Sequence, residues 1–182
     1  MRKLFLIGLL FLTITSKAQT PMNWLIAPHV AAVVSNPFLT SGAGSTLRND
    51  YGNYVGFKFT VGSTPIVLTS LGRWVVSGNS GTHTLVIRDG SNSTIVSASI
   101  NTSGLGVGYN YVSITPTTLS ANTVYCMFSL ESSGGDQWYQ SFSITSTADA
   151  TVNASAYIDG SGLNTNDIGT FAYVPVNFKY HL

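Results

Sequence analysis

Tyr54-Val55-Gly56-Phe57-Lys58-Phe59-Thr60-Val61 decides how the chain folds. Successive side chains of an extended strand point to opposite faces. Val55, Phe57, Phe59 and Val61 therefore share one face, and Tyr54, Gly56, Lys58 and Thr60 share the other. One apolar face against a core and one more polar face toward water is the pattern of an antiparallel sheet. The same period of two extends outward from this stretch. It predicts strands at Ile66–Val76, Thr82–Arg88, Thr94–Ile100, Tyr109–Ile114, Thr123–Leu130, Tyr139–Ile144, Thr151–Ile158 and Thr170–Tyr180. Nowhere do apolar residues recur at helical spacing over three turns.

Turn chemistry separates these segments: Gly78-Asn79-Ser80-Gly81, Asp89-Gly90, Ser103-Gly104, Ser133-Gly134-Gly135-Asp136 and Asp159-Gly160-Ser161-Gly162. Short strands at this spacing specify a two-layer antiparallel β-sandwich or a barrel. The strands are numerous and the Cys…Trp…Cys pattern of antibody domains is absent, so a jelly-roll-like sandwich is expected ahead of an immunoglobulin-like one. The boundaries that follow are residues 1–18 as a leader, 19–53 as an N-terminal edge strand with a Gly/Ser loop around Ser41-Gly42-Ala43-Gly44-Ser45, and 54–182 as the sandwich.

Arg2 and Lys3 precede an apolar run, Leu4 to Ile14, that is too short to cross a bilayer. Ser16 and Ala18 supply the small residues of a signal peptidase site, which places cleavage before Gln19. The expectation is a secreted, periplasmic or extracellular protein with no membrane span in the mature chain. Cleavage would remove Arg2, Lys3 and Lys17, so the 8 basic and 7 acidic residues become 5 and 7, a formal charge of −2. Such a chain has no basic footprint for nucleic acid or for an anionic membrane. Cys126 is the single cysteine and cannot form an internal disulfide. It shares a strand face with Val124 and Phe128 and reads as a small buried hydrophobe.

A resemblance rests on an ordered series of motifs. Gly56-Phe57-Lys58-Phe59-Thr60-Val61, Val67-Leu68-Thr69-Ser70-Leu71-Gly72-Arg73-Trp74 and Thr82-His83-Thr84-Leu85-Val86-Ile87-Arg88-Asp89 come first. Tyr111-Val112-Ser113-Ile114-Thr115-Pro116, Leu119-Ser120-Ala121-Asn122-Thr123-Val124-Tyr125 and Pro175-Val176-Asn177-Phe178 follow. Together they resemble a bacterial family of exported β-sandwich domains of unknown function, common in proteins that carry PEP-CTERM sorting tails. The resemblance covers Tyr54 to Tyr180 and implies a fold and a compartment, with no catalytic residues to transfer. Two features depart from the pattern: Val176 interrupts the closing Pro-Asn pair, and the sequence reaches Leu182 without a sorting helix.

Chemistry is sparse. Glu131 is the only glutamate, and most aspartates stand in turns. His29, His83 and His181 are scattered, without zinc spacing, and His83 shares a strand face with Leu85 and Ile87, as a hydrogen-bonded histidine at the sandwich edge would. No cofactor is implied. Calcium is the one metal with a candidate loop, Asp159 to Asp167, which fails the EF-hand spacing and reads as a polar hairpin loop. Aromatic and polar residues meet at Asp136-Gln137-Trp138-Tyr139, directly after a Gly/Ser loop. Rings for C–H faces and fixed partners for hydroxyls are what a sugar requires, which makes Trp138, Tyr139, Asp136 and Gln137 the candidate ligand site. The period places Trp138 with Gln140 and Phe142 toward the core, and Tyr139 with Ser141 toward solvent.

The function expected is therefore an exported, non-catalytic module for adhesion or ligand binding, with glycans or cell-surface and matrix components as partners. A carbohydrate-binding module is the first alternative, and a hydrolase using His83 with an aspartate the second. Mass spectrometry of cell fractions should find a chain beginning at Gln19 outside the cytoplasm; an intact Met1 form recovered only from the cytosol would contradict the leader.

Overall fold

The computed structural model describes residues 33–41, 44–142, 144–166, 173 and 175–182. The leader, residues 1–18, lies outside them. All the described residues belong to one unit, Val33–Leu182. Three short strands come first, β1 (Asn36–Pro37), β2 (Leu39–Ser41) and β3 (Gly44–Arg48). Six long ones follow: β4 (Tyr54–Val61), β5 (Ile66–Val75), β6 (Thr82–Asp89), β7 (Thr94–Asn101), β8 (Gly108–Leu119) and β9 (Val124–Leu130). The chain ends with β10 (Trp138–Phe142), β11 (Thr145–Ser146), β12 (Ala150–Asp159), β13 (Gly162–Asn166) and β14 (Val176–His181). No helix occurs among the described residues, so none there is long and apolar enough to cross a membrane.

Two antiparallel sheets carry the fold. One has the order β1-β14-β5-β8 and the other β13-β12-β4-β9-β6-β7. Their pairing follows one rule. Take β1, β4, β5, β6, β7, β8, β9 and β14 in chain order: the first pairs with the last, the second with the seventh, the third with the sixth, and the fourth with the fifth. That is a single antiparallel ribbon rolled into two layers, the jelly roll, and it excludes the immunoglobulin-like alternative. β12 and β13 extend the larger sheet beside β4. β2 with β11 and β3 with β10 form two small ribbons outside the main sheets.

The deciding stretch behaves as its period requires. Val55, Phe57, Phe59 and Val61 of β4 are at most 2% exposed, and Phe57, Phe59 and Val61 pack against Leu68 and Leu71 of β5 and Phe178 of β14. Gly56, on the opposite face, permits close approach of β9: a Cβ there would stand 1.8 Å from the Met127 carbonyl oxygen. Phe38 stacks on Phe178 with centroids 4.7 Å apart and planes 6° from parallel, so the segment after β1 plugs the core. Cys126 is buried with Phe128, Val86 and Ala156 in a second cluster. Burial pushes its thiol up to about 11, which keeps the unreactive protonated form.

Some boundaries differ from the sequence reading. Of the stretch Tyr139–Ile144, β10 takes Tyr139–Phe142, while Ile144 lies outside any strand and β11 begins only at Thr145. Gly162–Asn166, read as loop, pairs with β12 as the second arm of a hairpin. Its polar residues alternate on an edge strand, where no apolar face is needed.

Asn177 joins the N-terminal segment to the core. Its Oδ1 accepts from Leu39 N at 2.9 Å while its Nδ2 donates to Leu39 O at 2.9 Å and to the Tyr111 hydroxyl at 2.9 Å. The side-chain amide thus stands in for a peptide unit of a neighbouring strand, at a site with no exposure. Asn177→Ala orphans two buried backbone groups at roughly 1–3 kcal/mol each, so chemical denaturation should report a loss of at least about 2 kcal/mol. A change within about 0.5 kcal/mol would show that this clamp carries no stability.

Candidate functional site

Arg73 is a charged residue on the core-facing side of β5, in step with Leu71 and Val75, and it is fully buried. A buried guanidinium requires a partner, and Glu131, at the end of β9 in the other sheet, supplies it. Arg73 Nε donates to Glu131 Oε1 at 3.1 Å and Nη2 donates to Oε2 at 2.8 Å, a two-pronged bridge between the layers. His83, on β6, places Nδ1 3.2 Å from Glu131 Oε2 and 3.1 Å from the Leu130 carbonyl oxygen. Its Nε2 lies 3.0 Å from Asp136 Oδ2. Asp136 also accepts from Thr102 Oγ1 at 2.6 Å, Ser80 N at 2.9 Å and Gly81 N at 2.9 Å. One carboxylate therefore gathers the β5–β6 turn, the β7–β8 turn and the loop 131–137.

That loop is also tied to the start of β4. Glu131 N donates to Asn53 O at 3.0 Å and Gly134 N to Asn49 O at 2.6 Å. Asn79 and the Gln137 backbone exchange two further hydrogen bonds. So anchored, the loop delivers the chain into β10, where Trp138 pairs with Arg48 of β3.

Beside this junction lies a recess of about 180 Å³ lined by Arg48, Tyr51, Val55, Trp138, Tyr157 and Tyr173. Its rings meet edge to face. Trp138 and Tyr173 have centroids 5.7 Å apart at 84°, Tyr173 and Tyr157 6.0 Å at 86°, and Tyr157 and Tyr51 6.0 Å at 89°. Perpendicular neighbours wall a pocket; they do not make a flat platform. The Arg48 guanidinium stands 5.2 Å over the Trp138 ring. It is itself forked by Asp50, at 2.7 and 3.0 Å, and donates to Gln140 Oε1 at 2.7 Å. Trp138 is 1% exposed, yet its indole N–H meets no acceptor among the described residues.

The four residues singled out from sequence take different places. Trp138 is buried, as its period requires, and lines the recess. Tyr139 differs from expectation: it is half-buried, packs against the core and meets Trp74 edge-on at 6.2 Å. The reason is that β10 belongs to a ribbon outside the main sheets, so the strand's second face rests on protein. Asp136 is committed to His83 and the two turns. Gln137 is exposed and contributes its backbone. Arg48, Tyr51, Tyr157 and Tyr173 were missed, because each is an ordinary residue in its own segment and only the fold assembles them.

Of the calcium loop, Asp167 lies outside the described residues. Asp159 Oδ1 accepts from Ser161 N at 2.8 Å and Ser161 Oγ at 2.6 Å, the bonds of a hairpin turn. No group of three or more His, Cys, Asp or Glu that could hold a metal occurs among the described residues. Compared with known proteins, the chain matches no family model, no curated protein and no solved structure.

His83 does meet a carboxylate at hydrogen-bond distance, but the geometry is that of a clamp. Both ring nitrogens face acceptors, an arrangement satisfied by the doubly protonated ring, and no lone pair is left for a substrate proton. Burial by itself lowers the His83 pKa, but the bonds to Glu131 and Asp136 outweigh it and the value is raised above 6.5. Burial likewise opposes ionisation of Glu131 and Asp136. The His83 and Arg73 bonds to Glu131, and the Thr102, Ser80, His83 and Gly81 bonds to Asp136, hold both carboxyls below their ordinary values.

The carboxylate contributions to stability are complete above the ordinary values, 4.5 for Glu131 and 3.8 for Asp136, and are lost as pH falls through the lowered folded values. The histidine contribution is complete below 6.5 and is lost as pH rises through the raised folded value. Thermal melts should therefore plateau between these limits and fall on both sides. His83→Gln should remove the alkaline decline and keep the acid one; Glu131→Gln, which leaves Arg73 unpaired, should cost about 3–5 kcal/mol. An alkaline decline unchanged in His83→Gln would contradict the assignment.

Proposed function

We propose that this chain is an exported, non-catalytic jelly-roll module that binds carbohydrate at the cell surface or in the surrounding matrix. The observation that carries the reading is the ring-walled recess beside the junction of loop 131–137 and β10. Tyrosine rings such as Tyr51, Tyr157 and Tyr173 suit the C–H surfaces of a sugar. Export is supported by the basic, apolar and small-residue order of the first 18 residues and by the ordered resemblance to exported β-sandwich domains. The absence of catalysis is supported by His83, both of whose nitrogens are already engaged.

A hydrolase would need a base with a free lone pair beside a substrate-sized opening. The polar cleft next to His83, lined by Ser80, Thr82, Ser132 and Asp136 among others, has the opening. It lacks the base.

A glycan array probed with the purified protein should give saturable binding to a subset of neutral glycans. Chromatography of the same glycans after long incubation should recover them uncleaved. Retention of no glycan would overturn the binding reading, and release of shorter products, lost in His83→Gln, would overturn the non-catalytic one.

A further inference from the structure

Resting on the carbohydrate reading, we infer that the polar cleft beside His83 is a second ligand subsite, which takes one uncharged, polyhydroxylated sugar unit on its serine and threonine hydroxyls and its bare backbone. It shares no lining residue with the recess. Size is the first argument. The cleft offers about 480 Å³, within the roughly 300–1,000 Å³ of small-molecule sites.

The second argument is the lining. Ligand pockets are as a rule walled by apolar and aromatic side chains, but glycine, serine, threonine, His83 and Asp136 wall this one. An apolar ligand would cover hydroxyls and peptide groups and leave them without partners. Ser80, Thr82 and Ser132 are exposed, and their hydroxyls meet no partner among the described residues. Each offers one donor and two acceptor positions. Between them Gly78 and Gly134 hold positive φ angles of 91° and 77°, which side chains rarely adopt, and nothing stands within 4 Å of where a Cβ would be. The walls there are bare peptide. A ligand dense in hydroxyls matches such a surface group for group.

Charge narrows the class. No lysine or arginine lines the cleft. The His83 side chain is 5% exposed and turns both ring nitrogens to acceptors, so an anion finds no cation to pair with. Asp136, the one carboxylate in the lining, already accepts from Thr102, Ser80, Gly81 and His83. The His83 ring balances its charge, and Arg73 balances Glu131. A cation therefore finds no unpaired carboxylate.

The same bonds set the spacing of the walls. Asp136 ties the loop 131–137 to Ser80 and Gly81 of the β5–β6 turn, and Asn79 exchanges two hydrogen bonds with the Gln137 backbone. The hydroxyls are thus held in place before a ligand arrives, which lowers the cost of ordering on binding.

A proton–nitrogen NMR titration resolves the two sites, since the Gly78, Gly81, Gly134 and Gly135 amides report the cleft and the Trp138 indole reports the recess. The probes are methyl glycosides of glucose, galactose, mannose and xylose, with a methyl hexuronide and choline chloride as charged counterparts. At least one neutral glycoside should move the cleft amides along a saturable curve, and the charged probes should leave them still. The double variant Thr82→Val with Ser132→Ala removes two hydroxyls at exposed positions. It should weaken that curve about tenfold or more, the effect of two net hydrogen bonds, with the melting temperature unchanged. Ser80→Phe, which fills the cleft, should abolish it. Cleft amides that stay still while the Trp138 indole moves would overturn the subsite and leave the carbohydrate reading standing. A curve unchanged in the double variant would overturn the hydroxyl assignment, and movement with the hexuronide or choline in place of neutral glycosides would overturn the ligand class. No movement of any resonance with any glycoside would overturn the subsite and the carbohydrate reading together.

Discussion

The bridge between Arg73 and Glu131 is the interaction on which this end of the molecule depends. It joins the two layers of the sandwich at full burial, where a lone charge is not tolerated and the partner must therefore be in place whenever the protein is folded. Glu131 is also the first residue of the loop that leads to β10, and its second oxygen faces His83, which in turn holds Asp136 near the loop's end. The pair thus fixes both where the loop begins and where it must return. The position of Trp138 follows from that constraint.

The jelly roll explains why a site forms here. Rolling one ribbon into two layers brings the start of β4, the end of β9 and the end of β12 to one end of the larger sheet. The β5–β6 and β7–β8 turns reach the same end. Segments about a hundred residues apart in sequence, such as Tyr51 and Tyr157, become neighbours. The end of the sandwich then carries two contrasting environments. In one, charges satisfy each other and stiffen the loops; in the other, four aromatic rings and a neutralised arginine enclose a small space.

The strands were legible in the sequence because a face buried in a two-layer sandwich imposes its period on each strand independently. Val55, Phe57, Phe59 and Val61 announce their common face without reference to any other segment. The order of the sheets was legible only as a class, since pairing of β1 with β14 or of β4 with β9 depends on contacts distant along the chain. Arg73 shows a signal that was available: a charge in step with Leu71 and Val75 lies on the core face and predicts a buried acidic partner, for which Glu131 is the only glutamate. Asp136 and Trp138 were singled out because they adjoin a Gly/Ser loop. Tyr139 was misplaced because the period of two assumes one solvent-facing side, an assumption that fails for a ribbon lying on the main sheets. Arg48, Tyr51, Tyr157 and Tyr173 carried no local mark, since an aromatic in a strand or turn looks the same whether it walls a recess or covers a core.

The claim at the centre of this account is that the ring-walled recess is a sugar site. Its most direct measurement is the indole N–H region of a proton–nitrogen NMR spectrum, with the Trp138 signal assigned by its loss in Trp138→Phe. On titration with a bound glycoside, the Trp138 indole resonance should shift along a saturable curve, because its ring lines the recess, while that of Trp74, which is not among the lining residues, holds its position. A Trp138 resonance that stays still at saturating ligand would contradict the account.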